Sequence, residues 1–248
     1  MTSPFFRRFA PVFLLLLALI VGPLLSSATS QVSVSIHIPF GNVSSAGSSS
    51  NNLLVTRAQF AESWNASKRT ANWVAWRLRA SDIGSVPRSD FHVDPVIPTP
   101  SPSDYTNSGY DRGHLCPSGD RTNTSTNNYA VFSMINIIPQ APDNNQGPWE
   151  KLESYTRSLA QAGREVYIIA GGTGSKGSFN GITIPASTWK VIVALAPGKT
   201  YPSVSGSATI AVLMPNINGI RSNTWQQYQT TVATIASRTG YNFSNYPQ

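Results

Sequence analysis

Between Tyr110 and Arg157 the chain gathers residue types that phosphodiester hydrolysis requires. The segment opens with Asp111-Arg112-Gly113-His114, continues through Asn136 and Pro139-Gln140 to Asn144-Asn145-Gln146-Gly147 and Trp149, and closes with Leu152-Glu153 and Arg157. Cleaving a phosphodiester needs a base for the attacking water, positive charge on the phosphate and a proton for the leaving oxygen. A neutral imidazole such as His114 can accept a proton near physiological pH. Arg112 and Arg157 offer permanently charged, planar donor forks for phosphate oxygens. Asn145 offers a hard carbonyl oxygen, a ligand that Mg²⁺ accepts while keeping most of its waters. One of those waters, acidified by the cation, can protonate the leaving oxygen.

The elements that position these groups follow from the pattern around them. Pro148 to Ala162 is expected to be a helix, with Asn144 or Asn145 as its cap, Trp149, Leu152, Thr156 and Leu159 at helical spacing, and Gly163 as its stop. Asn145, Trp149, Glu153 and Arg157 are spaced four apart and drift slowly around one side of that helix, so they can face one cleft. Glu153 could then hold a cation-bound water or orient Arg157 through an i,i+4 pair; alone, the two would read as an exposed ion pair. Strands are expected at Asn72–Leu78, buried on both faces, at Tyr129–Ile138, at Glu165–Ala170 before a Gly-Gly turn, at Trp189–Leu195 and at Ala208–Met214, with a C-terminal helix over Gln226–Ser237. Strands joined by short turns with a few helices indicate one α+β domain around a mostly antiparallel sheet.

These motifs, in this order and spacing, resemble the DNA/RNA non-specific endonucleases, the ββα-metal nucleases that include secreted bacterial sugar-non-specific nucleases and endonuclease G. The likeness extends upstream to Thr70-Ala71-Asn72-Trp73-Val74-Ala75-Trp76 and downstream to the strand EVYIIAGG and Pro185-x-x-x-Trp189-Lys190. It implies a ββα-metal fold, a central mostly antiparallel sheet flanked by helices. It further implies His114 as general base, Asn145 as the single direct protein ligand to Mg²⁺ (with Mn²⁺ as a substitute), and Glu153 as an acid beside the hydrated cation. By the same likeness Asn136 steadies the site through hydrogen bonds, and Arg112, Arg157 and Arg88 contact phosphate, Arg88 lying in Pro87-Arg88-Ser89-Asp90-Phe91. Asp111 would position the loop or the histidine. The implied substrates are DNA and RNA, cut to 5′-phosphate and 3′-hydroxyl ends; a protein inhibitor is a conceivable partner.

The 248 residues carry a formal net charge of +7, a balance that suits a polyanionic partner. Residues 1–30 read as a cleavable signal peptide: Arg7-Arg8, an apolar run from Phe13 to Leu25, then small residues before Gln31. Its removal leaves sixteen basic against eleven acidic residues, a net +5, and directs the domain to a secreted or periplasmic location. Residues 31–52, with NVSSAGSSSNN at 42–52, read as a flexible arm before an endonuclease domain at 53–248. The lone Cys116 excludes an intrachain disulfide and reads as a packing residue, although a Cys/His pair with His114 is imaginable. His92 reads as a surface-loop residue and His37 as a solvent-facing strand residue. Trp73 and Trp76 are expected in the core, Trp64 there or stacked on bases, and the glycine-rich run 171–176 lacks phosphate-loop spacing. Two other classes stay open on these residues: a catalytically weak surface nucleic-acid-binding protein, and a phosphodiesterase for small substrates.

Overall fold

The computed structural model describes Met1 and residues 35–248, so the expected signal peptide lies outside the described residues. From the N-terminal side, β1 (Ser48–Ser49), β2 (Asn52–Thr56), β3 (Ala61–Asn65) and β4 (Thr70–Leu78) form a meander. A short pair follows, β5 (Asp111–His114) with β6 (Ile137–Gln140), separated by helix α1 (Ser125–Val131). The chain then forms one helical turn, α2 (Pro142–Asn144), a wide turn over Asn145–Trp149, and the long helix α3 (Glu150–Gln161). Strand β7 (Val166–Thr173), the small hairpin β8 (Ser178–Phe179) and β9 (Ile182–Thr183), strands β10 (Ser187–Ala194), β11 (Ala208–Pro215) and β12 (Gln229–Thr230), and helix α4 (Val232–Thr239) complete it.

Eight strands form one sheet in the order β1-β2-β3-β4-β7-β10-β11-β12, every pair antiparallel. Its central strands are buried on both faces, which is why they read as unbroken apolar runs. Alternation sorts them: Val74, Trp76, Ile168 and Ile192 enter one core with Trp149 and Leu152, while Trp73, Ala75, Ile169, Trp189 and Val191 enter a second core on the opposite face. α3 lies on the first face, and α4 packs against the second. Trp64 is in the first core at 1% exposure, so it is unavailable to stack on bases.

Several expectations are corrected. The run 42–52 is not a flexible arm: Val43 and Ala46 are buried, Asn42 Oδ1 accepts from the Ala46 N–H, and Asn52 Oδ1 accepts from the Ser44 and Ser63 hydroxyls. Its serines and asparagines satisfy local backbone and one another, so polar low complexity here marks a tightly turned segment. Tyr129–Ile138 is no strand. Thr124 caps α1 by accepting from the Asn127 N–H, a tight turn covers Met134–Asn136, and extended backbone begins at Ile137. A short apolar run buried all round carries no period that separates helix from strand. The C-terminal helix starts at Val232 because Gln229–Thr230 pair with Ala211–Val212 at the sheet edge; Thr231 caps it and Gly240, at φ 73°, ends it. Gly171-Gly172 continue β7 and form no turn. His37 is buried, not solvent-facing: its Nδ1 accepts from the Arg77 N–H and its Nε2 meets the Ala58 carbonyl at 3.0 Å.

Candidate active site

The β5–β6 hairpin and the start of α3 form a cleft. Its wall carries Arg88, Arg112, His114, Asn145, Glu153 and Arg157, around about 370 Å³ of space. Six of the seven residues singled out from sequence thus share one cavity. The seventh, Asn136, lies beneath it, fully buried. Its Oδ1 accepts from the Cys116 N–H at 2.9 Å, and its Nδ2 donates to the carbonyls of Cys116 and Val131, each at 2.8 Å. It pins the chain just after His114 to the end of α1, a positioning task.

The hairpin's spacing has a steric cause. In the β5–β6 register Gly113 faces Ile138, and a Cβ at Gly113 would sit 2.1 Å from Gln140 Oε1. The glycine of Asp-Arg-Gly-His and the glutamine of Pro-Gln therefore occupy one space between them. Beyond the hairpin, the start of α3 is not capped by Asn144 or Asn145. Asn144 is buried and donates to Thr188 Oγ1 on β10, and Asn145 begins the wide turn. That turn passes through Gly147 at φ −115°, ψ −115°, where a Cβ would come within 2.7 Å of Arg221 Cα. Pro148 follows, consistent with its missing N–H being harmless there.

Asp111 has a role the sequence left open. Its Oδ2 accepts from Asn145 Nδ2 and from Gln146 Nε2, each at 2.8 Å. Because the carboxylate takes the Asn145 NH₂ group, the amide's other end, Oδ1, is left for the cleft. Asp111 thus positions Asn145, not the histidine.

His114 sits between two rings, Phe91 at 5.1 Å and Phe132 at 4.7 Å, and its Nε2 has no hydrogen-bond partner. Burial, then the nearby Arg88 and Arg112, lower its pKa to about 3, so the ring is uncharged at neutral pH. The same rings carry the arginines: Arg112 lies 4.5 Å over Phe91 and Arg88 5.3 Å over Phe132. Arg88, Arg112 and Asn145 also border an adjoining hollow of about 290 Å³ lined by Tyr105 and Tyr110.

Of the two arrangements open to Glu153, the i,i+4 pair with Arg157 does not form. Arg157 NH1 approaches Asp120 Oδ1 at 3.3 Å, its NH2 donates to Ser154 Oγ, and Glu150 lies 3.8 Å away. Glu153 instead faces Lys190 Nζ at 3.7 Å. Burial raises the Glu153 pKa to about 7, with Lys190 and Arg157 opposing and Asp120 and Glu150 adding to the rise. Asp120, anchored by Trp76 Nε1 at 2.8 Å, and Lys190 escaped the sequence reading as site residues. The only available signal was Lys190 following Trp189, a charge in an otherwise apolar strand.

Cys116 is fully buried, and burial drives its thiol far up, which removes it as a nucleophile. His92 stacks on Tyr129 at 3.9 Å and bonds backbone carbonyls, with no grouping of metal ligands around it. Among the described residues no three His, Cys, Asp or Glu side chains gather as a cation cage. The oxygen ligands on the cleft wall include the oriented Asn145 amide and the Glu153 and Glu150 carboxylates, hard oxygens that fit a largely hydrated divalent cation.

The architecture defines the class: an antiparallel sheet bearing a strand-pair-and-helix site is the fold of the ββα-metal nucleases. A solved complex of endonuclease G with its inhibitor EndoGI superposes with a TM-score of 0.69 at 22% identity, over 78% of this chain and 86% of that one. Residues 38–248 match the family model described as DNA/RNA non-specific endonuclease, and the chain belongs to that family. A nuclease from Nostoc sp. (strain PCC 7120) is 43% identical over 92% of this chain and 89% of its own length. A nuclease from Serratia marcescens is 28% identical over 77% and 74%. The mitochondrial nuclease EXOG of Danio rerio is longer: 29% identity covers 73% of this chain but 57% of that protein. The protein is therefore a hydrolytic nuclease of DNA/RNA non-specific type.

Proposed function

We propose that the protein is an exported, Mg²⁺-dependent endonuclease that cuts DNA and RNA to 5′-phosphate and 3′-hydroxyl ends. The observation that carries this reading is the convergence on one cleft wall of an uncharged His114, the clamped amide of Asn145 and three arginines. Arg88, Arg112 and Arg157 hold the phosphate and neutralise charge that grows on it during attack. His114 takes the proton of the attacking water on the ring nitrogen that faces the cleft. A phosphate drawn against Arg88 and Arg112 offsets the positive charge that depresses the histidine, so substrate binding strengthens the base. Asn145 Oδ1 would hold Mg²⁺, with Mn²⁺ as a substitute, and Glu153 would accept hydrogen bonds from the ion's water shell. The cation, when bound, supplies Lewis-acid stabilisation and acidity for the leaving oxygen. Contacts to phosphates carry no base information, which accounts for indifference to sequence.

The leader-like residues 1–30 support export, and a stable fold that needs no disulfide fits either redox environment. The fold's likeness to a nuclease solved with an inhibitor makes a protein inhibitor a reasonable partner.

The test is digestion of plasmid DNA and total RNA with Mg²⁺ or with EDTA, beside His114→Ala. Metal-dependent loss of both polymers, reduced roughly 10²- to 10⁴-fold in the variant, is expected. Retarded but uncut nucleic acid would indicate a binding protein, and inertness toward both polymers would indicate small phosphodiester substrates.

A further inference from the structure

Lys190 has no assigned part in this site, yet its setting is unlike that of any ordinary lysine. It lies on the central strand β10, in the row Val74–Ala170–Lys190–Val212 across the sheet, on the face that α3 covers. Its side chain is 1% exposed and its ammonium has no hydrogen-bond partner. The Trp149 ring lies 4.0 Å from Nζ, the Trp76 ring 5.7 Å, and the nearest carboxylate oxygen is Glu153 Oε1 at 3.7 Å. A buried ammonium without such company would be strongly disfavoured, and an apolar residue of similar size would pack more cheaply in this core. The charge is retained where a site carboxylate stands directly over it.

We infer that Lys190 is a positioning residue: from beneath the cleft its ammonium, 3.7 Å away, favours the charged form of the Glu153 carboxylate and keeps it directed at the substrate space. Glu153 needs such support. The groups facing it are Lys190 from β10, Asp120 from the loop before α1, and Arg157 and Glu150 from its own helix; Cys116 also lies near Lys190. Arg157 is already engaged by Asp120 and Ser154, so Lys190 is the cation left to balance Glu153. The two rings fix the ammonium laterally through their faces, which leaves the carboxylate as its one charged contact.

The inference rests on the proposed role of Glu153, and the experiment separates the two. Lys190→Met, Glu153→Gln and the double variant are compared with the wild type in steady-state cleavage and in melting. Lys190→Met is expected to fold but to melt below the wild type, because it leaves the buried Glu153 carboxylate without its cation. It should lower kcat roughly 10- to 100-fold with KM within about twofold, and move the acidic limb of the pH–kcat profile upward. In the Glu153→Gln background the same substitution should change kcat by less than about twofold, because its effect passes through Glu153. Melting gives a readout independent of activity: Glu153→Gln alone strands a buried charge and lowers Tm, and adding Lys190→Met restores it. Wild-type kcat and pH profile in Lys190→Met, or losses that multiply in the double variant, would overturn the inference. Full activity of Glu153→Gln would instead overturn the role given to Glu153.

Discussion

At the scale of single residues, the site is governed by what surrounds each ionisable group more than by its identity. Burial is the main cause for both His114, lowered to about 3, and His37, lowered to about 4, and neighbouring arginines add to it in each case. Both rings are uncharged in the folded protein, whereas an unfolded histidine titrates near 6.5. As pH falls below that value the unfolded chain binds protons that the folded chain refuses, so stability is complete above it and is lost toward pH 4. Each histidine contributes a slope of about 1.4 kcal/mol per pH unit in that window. The raised carboxyls of Glu62 and Glu153 act in the opposite sense, so the histidine term is isolated as a difference. Urea unfolding between pH 4.5 and 7 should show His114→Gln losing stability less steeply on acidification than the wild type, by about one proton; equal slopes would contradict the burial account.

At the scale of elements, the hairpin β5–β6 and the turn into α3 set the cleft, and both depend on glycines that other parts of the chain crowd. Gly113→Ala should force Gln140 aside, destabilise the protein by about 1–3 kcal/mol and cut activity by more than the unfolded fraction explains. Gly47→Ala, where a Cβ meets nothing within 4 Å, is the matched control. Thermal melts and kcat on the two variants check this. The same elements show what a sequence discloses. Helix α3 was legible because its apolar residues recur at helical spacing and glycine follows it. The buried strands β4, β7, β10 and β11 were legible as β-branched and aromatic runs of strand length. Helix α1 was not, since it is short and only Asn128 and Val131 along it are buried, too few to show a helical period. The cleft residues from Arg112 to Arg157 were readable because their types and spacing together form a specific motif, and Arg88 through the family resemblance alone. Asp120 and Lys190 were not, because their purpose exists only where β10 and the loop before α1 meet under Glu153.

At the scale of the whole molecule, a basic balance (+7 for the full chain, +5 without residues 1–30) and three arginines on one cleft wall predict that substrate capture is electrostatic. KM for duplex DNA should rise steeply with salt, linear on a double-logarithmic plot, while kcat changes little. A flat KM from about 50 to 200 mM salt would argue that binding depends on contacts other than phosphate.

The clamp of Asp111 on Asn145 has a kinetic meaning. An asparagine amide free to rotate would present oxygen and NH₂ to the cleft by turns, and an arriving ion would have to wait for, or impose, the right face. Here the wrong face would set the amide oxygen against the Asp111 carboxylate, so the receptive one is selected before any ion arrives. Loading of the ion proposed there would then need no turn of this side-chain amide. On the proposed reading, protein stripped of its ion should regain activity without a lag when cation is added, because the amide already presents its oxygen.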